Sequence, residues 1–320
     1  MSTKRNATPR ISVIIPAYNR AATIRRALDS VLAQTLGDFE LIVVDDASTD
    51  DTVVLVESFS DPRIRLLRHA TNRRAAAARN TGIRAARGRY LAFLDSDDEW
   101  LPDKLEVQLA ALEAAPMEVM ASCTGCEIVR NGETFPKVPV HTSHRRLLMG
   151  CDLSPGSTLM VRREVFDRVG LNDEAFYRYE DWDWMLRYAM QLRIDLLPQP
   201  LCRVYRDGGH PQGAPMVAAA ERLLSIHLGP AATRYGRIFA RKVAALRWFE
   251  LSHLFFRERD FSEGARYLLR GLFAWPLVRP GMYLHLLEAV FDIPLQQGVW
   301  RLRRGMTNRP AHGGRGGRPR

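Results

Sequence analysis

Tyr90-Leu-Ala-Phe-Leu-Asp-Ser-Asp-Asp98 is a short apolar run that stops abruptly on carboxylates. An uncharged run of this length predicts a strand buried on both faces. The strand delivers Asp95 and Asp97 to its carboxyl end, where residues two apart in extended chain point to one side. The same pattern recurs upstream. Ile11-Ser-Val-Ile-Ile15 runs into Pro16, Leu41-Ile-Val-Val44 runs into Asp45-Asp46, and residues 64–67 form a further apolar segment. Between these segments the apolar spacing becomes helical. Ile24, Ala27, Leu28, Val31 and Leu32 mark a helix over 21–33, and Ser48-Thr-Asp-Asp51 matches a capping box ahead of a helix over 52–59. Residues 74–87 are alanine-rich and stop at Gly88. Strands alternating with helices predict an α/β fold with a doubly wound, mainly parallel sheet.

After Pro116 the rhythm changes. Residues 119–129 and 134–140, joined at Asn131-Gly132, predict a hairpin. A strand over 157–161, a helix over 181–190 and a strand over 193–197 follow, and residues 215–304 read as almost wholly helical.

The chain has 46 Lys and Arg against 36 Asp and Glu, a net charge of +10. Lys4, Arg5 and Arg10 and the seven arginines of residues 301–320 account for all ten, so residues 11–300 are formally neutral. Basicity confined to the ends argues against a nucleic-acid groove and predicts disordered basic termini over 1–10 and 305–320. Four cysteines are too sparse for a secreted disulfide framework. Cys123-Thr-Gly-Cys126 lacks a second ligand pair at zinc-finger distance and lies inside a strand-like run. With no signal-peptide stretch and no run of about 18 uncharged apolar residues, the expected location is the cytoplasm or the inner face of its membrane.

In an open parallel sheet, ligands bind outside the carboxyl ends of the strands. There the sequence places Pro16 and Tyr18, Asp45 and Asp46, and Asp95 to Asp98, so an aromatic ring and several carboxylates share one crevice. Asp95 and Asp97 suit Mg²⁺ or Mn²⁺ with positions left for phosphate oxygens, and they equally suit a polar turn or the N-cap of a helix starting near Pro102. Asp45-Asp46 suits either a helix N-terminus or a ribose hydroxyl and base N–H. The absence of a Gly-x-Gly-x-x-Gly or Walker loop disfavours a dehydrogenase or an ATPase, and a glycine-rich loop expected of a nucleotidyltransferase is absent after the first strand.

Four motifs in order carry a resemblance. Residues 11–20, Asp45-Asp-Ala-Ser-Thr-Asp-Asp-Thr52, Ala78-Arg-Asn-Thr-Gly82 with Tyr90–Asp98, and Tyr179-Glu-Asp-Trp-Asp-Trp-Met-Leu-Arg187 together resemble the inverting family 2 glycosyltransferases of GT-A fold. The resemblance implies that Pro16 and Tyr18 border the base of a nucleotide-sugar donor, that Asp46 bonds a base, preferentially uracil, with Asp45 supporting it, and that Arg79 contacts base or phosphate. It implies that Asp95 faces the ribose and a Mn²⁺ or Mg²⁺ ion, that Asp97 ligates that ion, and that Asp181 is the catalytic base. Glu180 and Trp182 would lie on the acceptor side. Two stretches depart from the pattern. Relatives carry His two residues earlier than His210 stands after Tyr205-Arg206, which leaves it an open third metal ligand, and Gly170-Leu-Asn-Asp-Glu174 replaces a Gly-Gly-Phe-Asp-Glu stretch.

The implied organisation is a catalytic domain over 11–212, with a nucleotide-binding half to 98 and an acceptor half from 99, then a helical region over 213–304. The implied acceptor is a glycan or a lipid-linked glycan in cell-surface polysaccharide synthesis. Leu268–Trp275 with its basic flanks has the composition of an interfacial helix touching anionic membrane. The alternative reading is a membrane-recruited sugar-nucleotide-binding protein with a degenerate site.

Overall fold

The computed structural model describes residues 8–206 and 213–277. His210, residues 1–7 and the tail from 278, including the basic stretch 305–320, lie outside the described residues. The strands are Ile11–Ala17 (β1), Phe39–Asp45 (β2), Ile64–Arg68 (β3), Tyr90–Phe93 (β4), Glu99–Trp100 (β5), Val119–Arg130 (β6), Glu133–Lys137 (β7), Leu159–Arg162 (β8) and Arg193–Tyr205 (β9). The first four helices are Ile24–Leu32 (α1), Thr52–Glu57 (α2), Arg74–Ala85 (α3) and Lys104–Ala114 (α4). The acceptor side adds His144–Leu147 (α5), Pro155–Thr158 (α6), Val165–Val169 (α7) and Glu180–Ala189 (α8). Gly213–Tyr235 (α9), Arg237–Arg257 (α10) and Phe261–Ala274 (α11) follow. The described residues fall into two compact units, one running to Arg206 and taking in Ala218–Ala231, the other made of Gly213–Val217 and Ala232–Leu277.

The sheet of the first unit has the order β3-β2-β1-β4-β8-β6-β9-β5, with β7 paired to β6. β1 sits centrally because it is apolar but for Ser12, whose hydroxyl donates to Glu40, and every residue of it is buried. Its odd residues, Ile11, Val13 and Ile15, share a core with Ile24, Leu28 and Val31 of α1 and Leu105, Leu109 and Leu112 of α4. Burying side chains of this size stabilises by about 1.5–3 kcal/mol each. Even residues face α3, where Gly82 admits Ile14: a Cβ on Gly82 would stand 2.5 Å from the Ile14 side chain.

The parallel reading holds over β3-β2-β1-β4. Beyond β4 the sheet is mixed: β8 joins β4 and β6 antiparallel, β6 and β9 are parallel, and β5 pairs β9 antiparallel. The expected hairpin forms, its turn held by Asn131 (φ 51°) and Gly132 (φ 76°), as a tight two-residue turn requires. The capping box does not form. The Ser48 N–H donates to Asp45 and its Oγ accepts from Asn19 N–H, while Asp50 takes Thr52 N–H at 3.0 Å. The apparent cap therefore stitches the β2–α2 loop to the β1 loop. Cys123 and Cys126 are buried core residues of β6 with free thiols.

Candidate active site

The loops beyond β1, β2 and β4 interlock. Asn19 Oδ1 accepts from Thr49 N–H at 2.8 Å, Arg20 N–H donates to Thr52 Oγ1 at 2.7 Å, and Asp46 N–H donates to the Ala17 carbonyl at 2.8 Å. Asn19, Ala47, Arg74, Ser154 and Tyr179 all have left-handed backbone at φ between 50° and 73°. Such residues cost about 1–3 kcal/mol each and persist where surrounding bonds fix them.

Tyr18 is exposed at the rim, and Pro16 and Asp45 are buried behind it. Asp46 is buried and occupied. It accepts from His69 Nδ1–H at 2.7 Å and from the backbone N–H groups of Arg73 at 2.9 Å and Arg74 at 2.6 Å. Asp46 thus serves a helix N-terminus, that of α3, three elements downstream of β2. His69, whose Nε2 lies 2.9 Å from Thr81 Oγ1, is a site residue that no sequence motif marked.

Arg79 joins the two ends of the site. It projects from the buried face of α3, with Ala76 and Ile83 on neighbouring turns. One guanidinium nitrogen donates to Asp95 Oδ1 at 2.7 Å and another to Glu180 Oε1 at 2.5 Å. Burial disfavours the Arg79 charge, but the carboxylates of Asp95, Glu180 and Asp181 outweigh it and hold its proton more tightly than in free arginine. The sequence does contain a signal for this. An arginine on an apolar helix face needs carboxylates, because an unpaired buried charge is too costly. The Arg79 side chain, expected to contact base or phosphate, is almost wholly buried and makes this internal bridge.

Asp181 opens α8, its carboxylate accepting from Trp182 N–H at 2.7 Å. It shares with Arg79, Gly156 and Asn172 the lining of a cavity of about 20 Å³, room for about one water. Burial first, and then the charge of Glu180, raise its carboxyl to about 6, against the pull of Arg79. Trp182 is buried, with its indole N–H donating to the Leu147 carbonyl at 2.9 Å.

At the end of β4, Asp97 is partly exposed, and burial and the charge of Asp95 raise its proton affinity. Arg20 Nε lies 3.8 Å from it. Asp98 turns the other way. It accepts from Ser157 Oγ and, at 3.0 Å, from Tyr205 N–H, and burial followed by Asp95 pushes its carboxyl well up. Asp95 and Asp97 are thus two oxygen donors whose mutual repulsion a hard divalent cation relieves, and the residues fit such an ion. Among the described residues no group of three or more His, Cys, Asp or Glu is arranged to hold a metal ion by itself.

With this geometry in view, comparison with known proteins is decisive for the family. A model of glycosyl transferase family 2 matches residues 12–170. A relative from Escherichia coli, described as UDP-Glc:alpha-D-GlcNAc-diphosphoundecaprenol beta-1,3-glucosyltransferase WfaP, is 43% identical over 187 residues, 58% of this chain and 69% of that protein. The chain belongs to glycosyltransferase family 2. It spans 62% and 63% of the length of the first two curated relatives it matches. Staphylococcus aureus TarS, solved with UDP-GlcNAc, aligns over 92% of both chains with a TM-score of 0.63 at 19% identity. The mannosyltransferase PcManGT of Pyrobaculum calidifontis, solved with GDP-Man and Mn²⁺, aligns over 93% of this chain and 85% of its own with a TM-score of 0.57 at 21% identity. The fold is of the GT-A type that the resemblance implied.

Proposed function

We propose that the chain is an inverting glycosyltransferase that moves a hexosyl or N-acetylhexosaminyl group from a nucleotide-diphosphate donor, preferentially a UDP-sugar, to a hydroxyl of a glycan or lipid-linked acceptor. The observation that carries this is the Arg79 bridge, which fastens Asp95 to Glu180 and so sets Asp181 beside the end of β4. Tyr18 borders the base, and Asp45 and Asp46 shape its pocket. Asp95 and Asp97 hold Mn²⁺ or Mg²⁺, which when bound stabilises charge on the departing diphosphate. Asp181 takes the proton of the acceptor hydroxyl as that oxygen bonds to the anomeric carbon and the bond to the diphosphate oxygen breaks. The relative's printed acceptor, a diphosphoundecaprenol-linked sugar, supports a lipid-linked acceptor reached at the inner membrane face, in cell-surface polysaccharide synthesis.

The test is a donor panel read by nucleotide-diphosphate release, with Mn²⁺, with Mg²⁺ and with chelator. Transfer is expected with a UDP-sugar, to stop on chelation, and to fall about a hundredfold or more in Asp97→Asn. Full transfer under chelation would overturn the metal assignment.

Gly156 gives a sharper geometric test. A Cβ at this position would stand 2.2 Å from Asp95 Oδ2, so Gly156→Ala must displace a carboxylate that Arg79 pins. A displacement of this order costs about a hundredfold in turnover. The expected result is that loss with an unchanged circular dichroism spectrum; normal turnover would mean that the position of Asp95 does not matter.

A further inference from the structure

The helical unit carries a surface that the transfer chemistry does not use. α11 packs inward through Gly264, Tyr267 and Gly271, its two glycines closing on Phe256 and Phe249 of α10. Its outer side is not polar. Leu269 is 65% exposed, Phe273 one turn later is 87% exposed, and Leu277 just past the helix is 78% exposed. Leu269 and Phe273, one turn apart, stand about 6 Å apart along one side of α11, and Leu277 follows beyond its end. Single exposed apolar residues need no explanation, but an aligned row marks an interaction surface.

The charge around the row is mainly basic, Glu263 being paired with Arg266 at 3.1 Å. Arg266 and Arg270, also exposed, run beside it at the same spacing. Arg241 of α10 donates to the carbonyls of Ala274 and Phe273 at 3.0 and 3.1 Å, bringing a third guanidinium to its end. The Lys242 ammonium lies 4.7 Å from the centre of the Trp275 ring. After Glu263 the sequence has no acid until Glu288. Among the described residues no helix is long and apolar enough to cross a membrane.

We infer that the outer face of α11 docks on an anionic lipid bilayer, with Leu269, Phe273 and Leu277 entering the headgroup–acyl boundary and the flanking arginines meeting lipid phosphates. Apolar side chains in a row, basic neighbours and an indole at the rim are what an in-plane helix presents to such a surface. The inference gives the membrane placement proposed above a named surface, and it needs no sugar donor to be tested.

The full chain is sedimented with vesicles of phosphatidylcholine alone and with about one third phosphatidylglycerol, in low and raised salt. The wild-type chain is expected to bind the anionic vesicles preferentially and to release with salt. The pair Leu269→Asp with Phe273→Asp is expected to weaken binding about tenfold or more with an unchanged melting temperature, since both side chains are exposed. Equal binding to both vesicle types, or unchanged binding by the pair variant, overturns the proposal. So does a pair variant that melts early with vesicle binding intact, which would mean that residues beyond 277 cover the face. A shift from dimer to monomer in sedimentation velocity would instead assign the face to a second copy of the chain. Because no donor is present, failure of the transferase reading leaves this result standing.

Discussion

Asp181→Asn is expected to lower the turnover of sugar transfer by about a hundred- to ten-thousandfold, the usual contribution of a positioned general base. Nucleotide binding, measured calorimetrically with the free nucleotide diphosphate, should stay close to wild type. The same residue sets the acid limb of the pH profile. With its carboxyl raised to about 6, the base form is lost as pH falls through that value, and kcat/KM should drop about tenfold per unit below it. The stability sign runs the other way. A carboxyl with a folded value above its ordinary one makes the ionised form a burden on the fold, so this contribution worsens from pH 4 towards 6 and stays unfavourable above. Asp181→Asn should therefore melt higher than wild type at pH 7. A variant that turns over normally would place the base elsewhere, and one that is inactive and melts lower would point to collapse rather than lost chemistry.

Arg79→Gln is expected to cost about 3–5 kcal/mol of stability, the penalty for removing one partner of a buried ion pair. It leaves Asp95, Glu180 and Asp181 facing one another without their cation. Urea unfolding at several pH values tests this. Loss of the positive charge raises the proton affinity of the three carboxyls in the folded state, so acid relieves the variant, and its deficit should narrow as pH falls. Arg79→Lys keeps the charge but not the two-pronged reach, and should fall between. A deficit independent of pH would mean that Arg79 acts through packing of its stem alone.

The parallel half was readable because its strands hold largely apolar runs that end on a turn or a carboxylate, as in residues 11–15, 41–44 and 90–94. The order of β8, β6 and β9 was not, since antiparallel insertion beside β4 depends on pairings between residues some 70 positions apart, such as Tyr90 with Arg162, which no local spacing encodes. The carboxylates were legible as a group, and their internal partners were not. Asp46 caps α3, and Asp98 ties the end of β4 to Ser157 and Tyr205. Arg79 was found through its motif and its bridge through the structure, because helical spacing shows that it is buried but not which carboxylates it meets. Trp182 was read onto the acceptor side, and the bond that orients its ring, N–H to the Leu147 carbonyl, was not readable.

The place where β8 meets β4 has an evolutionary consequence. The in-sheet seam between the nucleotide-side strands and the rest is a ladder of three residue pairs, Tyr90–Arg162, Leu91–Val161 and Ala92–Met160. Side-chain bonds reinforce so short a seam: Asn80 meets Asn172 and Glu174, the Trp100 indole donates to the Ser157 carbonyl, and Arg79 reaches Glu180. Far-side loops that lack such partners can change length without disturbing β1, β2 and β4.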